Sequence, residues 1–450
     1  MLFTLRRALA AMTLCCAAPP LAHAAPLDGQ AEWNFSGTVR LRYENIDGQV
    51  RPGFNGQDDV LSLRTTLAAE RKQGPLRLFA EMYDSRVYSA DARSPIGTGE
   101  VNTLELVQAY GELKLDSDSM GPVKLQAGRF MLNLGSRRLV AADDYRNTTN
   151  GYTGLRADFA PAGVKTTLVY VLPQVRRPDD IDSLLDNKQY PDTESTDLVL
   201  WGGMAAKAKA IGDATLEASY YHLEERDTPY QATRDRSLDT YGARLIRDPA
   251  AGKWDYEIEA YGQTGTVSSS TAPNAAELDV RAGFFHADVG YTMTSAWSPR
   301  ISAEFDYASG DDDGARYGRF DTLFGMRRAD FGPSGIYAAI GRTNIVTPAV
   351  RLEVTPTQRL DAFAAYRPMW LASKTDSFST TGVRDASGRS GSFAGHQLEG
   401  RVRYWAVPDR IRLEANLLWL MKGDFLTDAP NAPHTGDSST YVALSSVVSF

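Results

Sequence analysis

Past residue 24 the chain has no cysteine, because Cys15 and Cys16 are its only two and both lie in the first apolar run. The body of the protein can therefore hold neither disulfides nor thiolate metal sites. It also lacks any run of eighteen consecutive apolar residues, so no helical membrane span is expected. Histidine is scarce: His222, His286, His396 and His434 are scattered, without the HExxH spacing of a zinc site, and no nucleophile or nucleotide-binding motif accompanies them. The expectation is a protein that is not an enzyme and carries no cofactor, although a Ser-His pair assembled in space would leave no local signature. Positive charge is not in excess either. The formal charge is −8, and about −10 once Arg6 and Arg7 are removed, which argues against a nucleic-acid partner.

Those two arginines precede the apolar run Ala8 to Ala18, and Ala22-His23-Ala24 forms a small-x-small cleavage site. Residues 1–24 read as a secretory signal for Sec-type export, leaving residues 25–450 as a single domain. Lipidation at Cys15 is not expected after Met12-Thr13-Leu14, which lacks the small residues such a site wants.

What the body has in quantity is alternation. In Trp33 to Glu44, Phe35, Val39, Leu41 and Tyr43 alternate with Ser36, Thr38, Arg40, Arg42 and Glu44. The same period of two recurs in 253–263, 300–307 and 410–419, each time with an oily face opposite an ionic one. Many such segments run nine to twelve residues, the length a tilted strand needs to cross hydrocarbon, whereas strands of soluble sandwiches commonly run five or six. This predicts an all-β fold, a transmembrane antiparallel β-barrel in a bacterial outer membrane.

The connections predict its size. Short turns are expected at 72–75, 116–122, 161–163, 211–213, 248–252, 296–299, 355–358 and 407–409. Long polar loops are expected near 45–58, 85–103, 131–153, 173–196, 224–237, 264–278, 309–344, 368–394 and 421–439. Together they join eighteen strands, with short periplasmic turns, long extracellular loops and both termini at the short-turn end. Segment 197–209 is poorly patterned, so sixteen strands is the alternative. At the C-terminus Val442, Leu444, Val448 and Phe450 share one parity. A final aromatic of this kind resembles the signal read by the barrel-assembly machinery.

The polar parity carries the candidate site. Arg40, Arg42, Arg64, Arg351, Arg401, Arg403, Arg410 and Arg412 fall on it, and Arg129, Arg137, Arg138 and Arg146 belong to the stretch Gly128 to Gly154. That stretch also holds the run Asn147-Thr148-Thr149-Asn150. Arginine offers a planar fork to carboxylates, so a constriction lined by it would concentrate anions. Inward acids oppose this, among them Glu44, Glu70, Glu81, Asp255, Glu257, Glu259, Glu304, Asp306, Glu353, Glu399 and Glu414, and cross-strand ion pairs bracing the wall are the alternative. Arg137 and Arg138 have no acid close in sequence before Asp143 and Asp144. Asp311, Asp312 and Asp313 offer oxygen ligands suited to calcium, but they lack the full EF-loop spacing and its terminal glutamate, so a solvated acidic loop is preferred.

The blocks RLRYE (40–44), EMYDSR (81–86), Gly128 to Asn150, DTYGARLIR (239–247), DYASGD (306–311) and RFDTLFGMRRADFG (319–332) resemble the alginate export family of outer-membrane barrels. The resemblance implies an eighteen-stranded barrel with an arginine-lined constriction that passes a uronate polymer. Arg129, Arg137, Arg138 and Arg146 are the residues carried over from the resemblance, whereas Arg42, Arg64, Arg351, Arg401 and Arg403 are named on strand parity. The function expected is passive passage of anionic saccharides or small organic acids, including alginate-type export. The alternatives are an uptake porin for another solute and, from a different class, an outer-membrane barrel enzyme or adhesin. Expected partners are outer-membrane lipid and lipopolysaccharide, the assembly machinery, the anionic solute and periplasmic proteins.

Overall fold

A computed structural model describes residues 30–228, 231–312 and 314–450. The expected signal sequence, 1–24, lies outside them. Eighteen antiparallel strands form one closed barrel. The first nine are β1 (Glu32–Asp47), β2 (Gln57–Gln73), β3 (Leu76–Tyr88), β4 (Asn102–Leu115), β5 (Val123–Phe130), β6 (Tyr152–Phe159), β7 (Val164–Pro173), β8 (Leu198–Ile211) and β9 (Ala214–Glu225). The others are β10 (Ser237–Arg247), β11 (Trp254–Ser268), β12 (Glu277–Thr292), β13 (Arg300–Ala308), β14 (Ile345–Thr357), β15 (Leu360–Trp370), β16 (Phe393–Val407), β17 (Ile411–Lys422) and β18 (Ser438–Ser449). All eight short turns and all nine long loops fall where the turn chemistry placed them. The weakly patterned segment is β8, paired on both sides; Gly202, Gly203, Ala205 and Ala206 blur its alternation.

The terminal strands close the barrel, with β1 antiparallel to β18 from Thr38↔Ser449 to Asp47↔Thr440. Only closure removes the unpaired edges that hydrocarbon would leave without partners. The last rung is made by Gly37 and Phe450, each donating its N–H to the other's carbonyl, at 2.9 and 3.0 Å. A Cβ on Gly37 would sit 2.7 Å from the Phe450 ring and 2.6 Å from the Thr66 carbonyl, so the aromatic ring lies where a side chain would otherwise stand.

Alternation sorts the two faces as expected. Phe35, Leu41, Tyr43, Ile258, Ile301, Phe305, Leu413 and Leu417 are exposed on the outside, while Arg40, Arg42, Glu44, Asp255, Glu259, Glu304, Asp306 and Glu414 are buried on the inside. The inner face is not polar throughout, however. Along β17 it runs Glu414, Asn416 and then Leu418 and Leu420; along β1 it runs Arg40, Arg42, Glu44 and then Ile46. Towards the long-loop end these apolar positions pack against loop residues, including Leu132, Val140, Phe320, Phe331, Ile336, Tyr337 and Ile340. The outer half of the lumen is thus filled by a hydrophobic core that ordinary burial stabilises, and the ionic half lies towards the short turns.

Because the Phe450 ring occupies the space above Gly37, Gly37→Leu is expected to strain the closing rung by about 1 to 3 kcal/mol. Thermal unfolding of the purified barrel followed by circular dichroism should show the lowered midpoint, and an unchanged midpoint would refute this account of closure.

Candidate functional site

Register places Arg40 directly opposite Arg64 on β1 and β2, both pointing inward. Two like charges across a strand pair repel, and each guanidinium needs acceptors. The loop 131–151 supplies them. Arg40 donates to the carbonyls of Asp144 at 3.0 Å and Arg146 at 2.5 Å, and Arg64 donates to the same two oxygens at 3.2 Å each. Arg42 donates to the Tyr145 carbonyl at 2.6 Å. The Tyr145 ring has the guanidinium groups of Arg42 and Arg328 each 4.0 Å from its centroid. The loop is drawn into the barrel by its own backbone dipoles.

The amide and hydroxyl run is used the same way. Asn147 Nδ2 donates to the carbonyls of Leu63, Arg86 and Glu100, Thr148 Oγ1 to Thr98 O, and Asn150 Nδ2 to Ala141 O and Phe324 O. It ties loop 131–151 to loop 89–101 and to loop 309–344. A short parallel bridge, Val140↔Phe324, joins the two inserted loops. Glu44 meets loop 309–344 at Gly335, where a Cβ would lie 1.7 Å from Glu44 Oε1 and would displace that carboxylate.

Arg137 and Arg138 diverge. Arg138, which has no acid near it in sequence, is the most heavily paired arginine of the loop: Asp330 takes Nε and Nη2 at 2.9 Å each, while Nη1 meets Glu259 at 2.6 Å and also Glu257. Burial alone would lift the Asp330 carboxyl, but the charges of Arg138 and Arg342 outweigh it and hold the group well below the usual carboxylate range. Arg138 is therefore a lock between β11 and loop 309–344, made by acids distant in sequence. Arg146 pairs with Asp143 at 2.8 Å. Arg129 stands apart, on the outward parity of Leu125 and Ala127, held by Glu105 at 2.5 Å and Glu194 at 2.7 Å.

Arg137, with φ at 66°, is exposed, and among the described residues its side chain has no hydrogen-bond or ion-pair partner. It lies between two cavities and lines both. One, of about 260 Å³, is bordered by eight arginines (Arg40, Arg42, Arg137, Arg328, Arg351, Arg401, Arg403 and Arg412) and by only three acids, Asp144, Glu399 and Glu414. The other, of about 300 Å³, has six arginines and six acids. Of the basic wall, Arg351 pairs with Glu353 at 2.9 Å and stacks 3.7 Å from the Phe363 ring centroid. Arg401 and Arg403 share Asp361 at 3.3 and 3.0 Å. Arg412 makes no hydrogen bond or ion pair among the described residues, and its Nε is buried without a partner. Arg410 falls in the turn between β16 and β17.

Arg328, which sequence reading did not single out, belongs to a second basic pair, Arg327-Arg328, inside the block 319–332. It donates to Glu414 at 2.7 Å and Asn416 at 2.6 Å. The recurrence of a basic pair in two long loops was a usable signal. Asp311 and Asp312 turn to backbone N–H groups, of Gly318 and Gly314, and Asp313 lies outside the described residues. Among the described residues no group of three or more His, Cys, Asp or Glu side chains is gathered as a metal ion would need.

The family model described as alginate export matches residues 31–440. The chain belongs to the alginate export family. Among curated proteins none matches. Solved structures share the fold: outer membrane protein OpdK of Pseudomonas aeruginosa at 11% identity, covering 93% of this chain and 98% of that one, TM-score 0.59. A BenF-like porin of Pseudomonas fluorescens Pf-5 is 13% identical over 93% and 99%, TM-score 0.56. OccAB2 of Acinetobacter baumannii is 11% identical over 93% and 98%, TM-score 0.58. The chain is an outer-membrane β-barrel of the porin type.

Two expectations follow from the loop chemistry. Replacing Arg138 by Met leaves the buried Asp330 and Glu259, and the half-buried Glu257, without their shared cation, and a loss of about 3 to 5 kcal/mol in stability of the inserted loops is expected. Hydrogen exchange of 131–151 and 322–344 would show it as lost protection. Second, burial, with the adjacent Glu44 charge, pushes the Glu100 carboxyl up to about 7. A raised folded-state value means that the contribution is complete below the ordinary carboxylate value of 4.5 and is lost as pH rises from there through about 7. Loop 89–101 should therefore loosen on going from pH 4.5 to pH 7, and Glu100→Gln should remove that pH dependence; equal loosening in the variant would refute it.

Proposed function

With membership of the alginate export family as the premise, we propose that the channel passes anionic saccharides or small organic acids, drawn along the basic wall and past Arg137. The observation that carries this is the excess of eight arginines over three acids around one cavity, with Arg137 and Arg412 unpaired among the described residues. In a narrow space walled by low-dielectric protein such an excess concentrates anions and repels cations. The paired arginines contribute field, and the unpaired ones can also give hydrogen bonds to a passing carboxylate. Cavities of about 260 and 300 Å³ suit a single sugar acid. No nucleotide-binding motif accompanies the barrel, so the drive is concentration or a partner protein.

Export of a polyuronate is the second reading, favoured by the family match. It requires the hydrophobic fill of the outer lumen to part. The remaining partners are proposed on chemistry: the apolar outer face meets lipid and lipopolysaccharide, and the strand ending in Phe450 presents an aromatic terminus to the assembly machinery.

Reversal potentials in a salt gradient across a planar bilayer test the proposal. Anion preference is expected for the wild type, and Arg137→Glu, by reversing a charge a few ångströms from the path, should lower the anion-to-cation permeability ratio by about tenfold. Cation-selective or unchanged currents would overturn it. Block by an oligouronate longer than two sugars, without block by the monomer, would favour the polymer reading.

A further inference from the structure

The long-loop ends of β10, β11 and β12 enclose a third cavity, of about 310 Å³, with a lining that differs from that beside Arg137. Its floor is apolar, made of the buried inward side chains Leu238, Val267 and Val280. Tyr317, from a two-residue segment that bridges to β12, borders it. Two of its arginines are fully engaged. Arg236 pairs with Glu225 and Asp321, at 2.8 and 2.7 Å. Arg319 pairs with Asp376 at 2.6 Å and donates to the carbonyls of Ser377 and Ser379.

Arg234 is different. Its Nε donates to Ser268 O at 2.7 Å and its Nη1 to Tyr317 Oη at 2.9 Å, while the guanidinium lies 4.5 Å from the Tyr317 ring centroid. Among the described residues no acid pairs with it and Nη2 has no protein acceptor. One uncompensated cation, fixed in place by a ring and two hydrogen bonds, therefore stands beside an apolar floor.

We propose that this cavity is a solute-capture site at the long-loop mouth, selective for monocarboxylates with an apolar body, an aromatic or branched-chain acid for instance, with Arg234 holding the carboxylate. Pockets that retain small molecules offer apolar surface with a few placed polar groups; here Glu225 and Asp321 are taken up by Arg236 and Gln263 by Thr240 and Asp321, which leaves Arg234 beside the apolar floor. A sugar acid would set hydroxyls against Leu238, Val267 and Val280 and lose their water without replacement, which disfavours it here. A ring or branched chain loses nothing and gains burial. The site stands whether or not the inner wall selects anions, since it shares no lining residue with those cavities.

Titration calorimetry on the folded full chain in detergent tests this, with benzoate, glucuronate and benzyl alcohol as probes. Benzoate is expected to bind at least about tenfold more tightly than either of the others, the scale of one charge-assisted hydrogen bond. Arg234→Gln should weaken benzoate by about tenfold, and Thr271→Glu, which adds a repelling charge at the rim without touching the floor, should weaken it as well, so the result does not depend on one variant folding. Arg359→Gln, in the short turn between β14 and β15 and in none of the three cavities, should leave benzoate unchanged. Glucuronate binding of equal strength that Arg234→Gln removes, benzoate binding that Arg234→Gln leaves unchanged, or no saturable heat with benzoate would each overturn the assignment.

Discussion

A backbone in hydrocarbon has no hydrogen-bonding partner except itself, and the whole molecule is arranged around that constraint. A sheet meets it only by closing, and a closed antiparallel sheet needs an even number of strands. The closing rung here is the exchange between Gly37 and Phe450. Closure in turn divides every strand into a lipid parity and a lumen parity. Once that division exists, the lumen must be filled or hydrated, and this chain does both along its length. Ionic side chains occupy the short-turn half, and a loop-borne hydrophobic core occupies the long-loop half.

Most of the lumen charge is engaged in structure. Arg40 and Arg64 face each other and are relieved by loop carbonyls; Arg138 gathers Asp330, Glu257 and Glu259; Arg300 gathers Asp255, Asp288 and Glu353. Each of these would be costly to bury alone and is tolerated because its partners are buried with it. The field felt by a solute is what remains after such pairing. It is positive along β1 and β14 to β17 and close to balanced along β10 to β13, so the inner path is electrically lopsided. Arg137 stands at the boundary between the two.

The chain's turn chemistry and alternation were enough to read off eighteen strands, their ends and most of their inward residues, because both are local; Arg410 and Arg129 fell elsewhere. A turn needs its Gly, Pro or Asp at the turn, and a strand shows its faces within four residues. The switch of the inner parity from Glu414 and Asn416 to Leu418 and Leu420 was equally local and marked where the loops would pack. It is visible once the lumen is thought of as fillable.

Sequence by itself could not separate Arg137 from its neighbour Arg138, since adjacent residues of one type carry identical local information. Their different fates depend on Asp330, Glu257 and Glu259, which lie more than a hundred residues away along the chain and reach Arg138 only when the barrel has closed and two loops have entered it. The same holds for the carbonyls of Asp144 and Arg146, whose role as acceptors is a property of position and not of side chain. Local chemistry determined the barrel; the identity of the charges left free for a solute was decided by tertiary structure, because pairing at a distance consumes all the others.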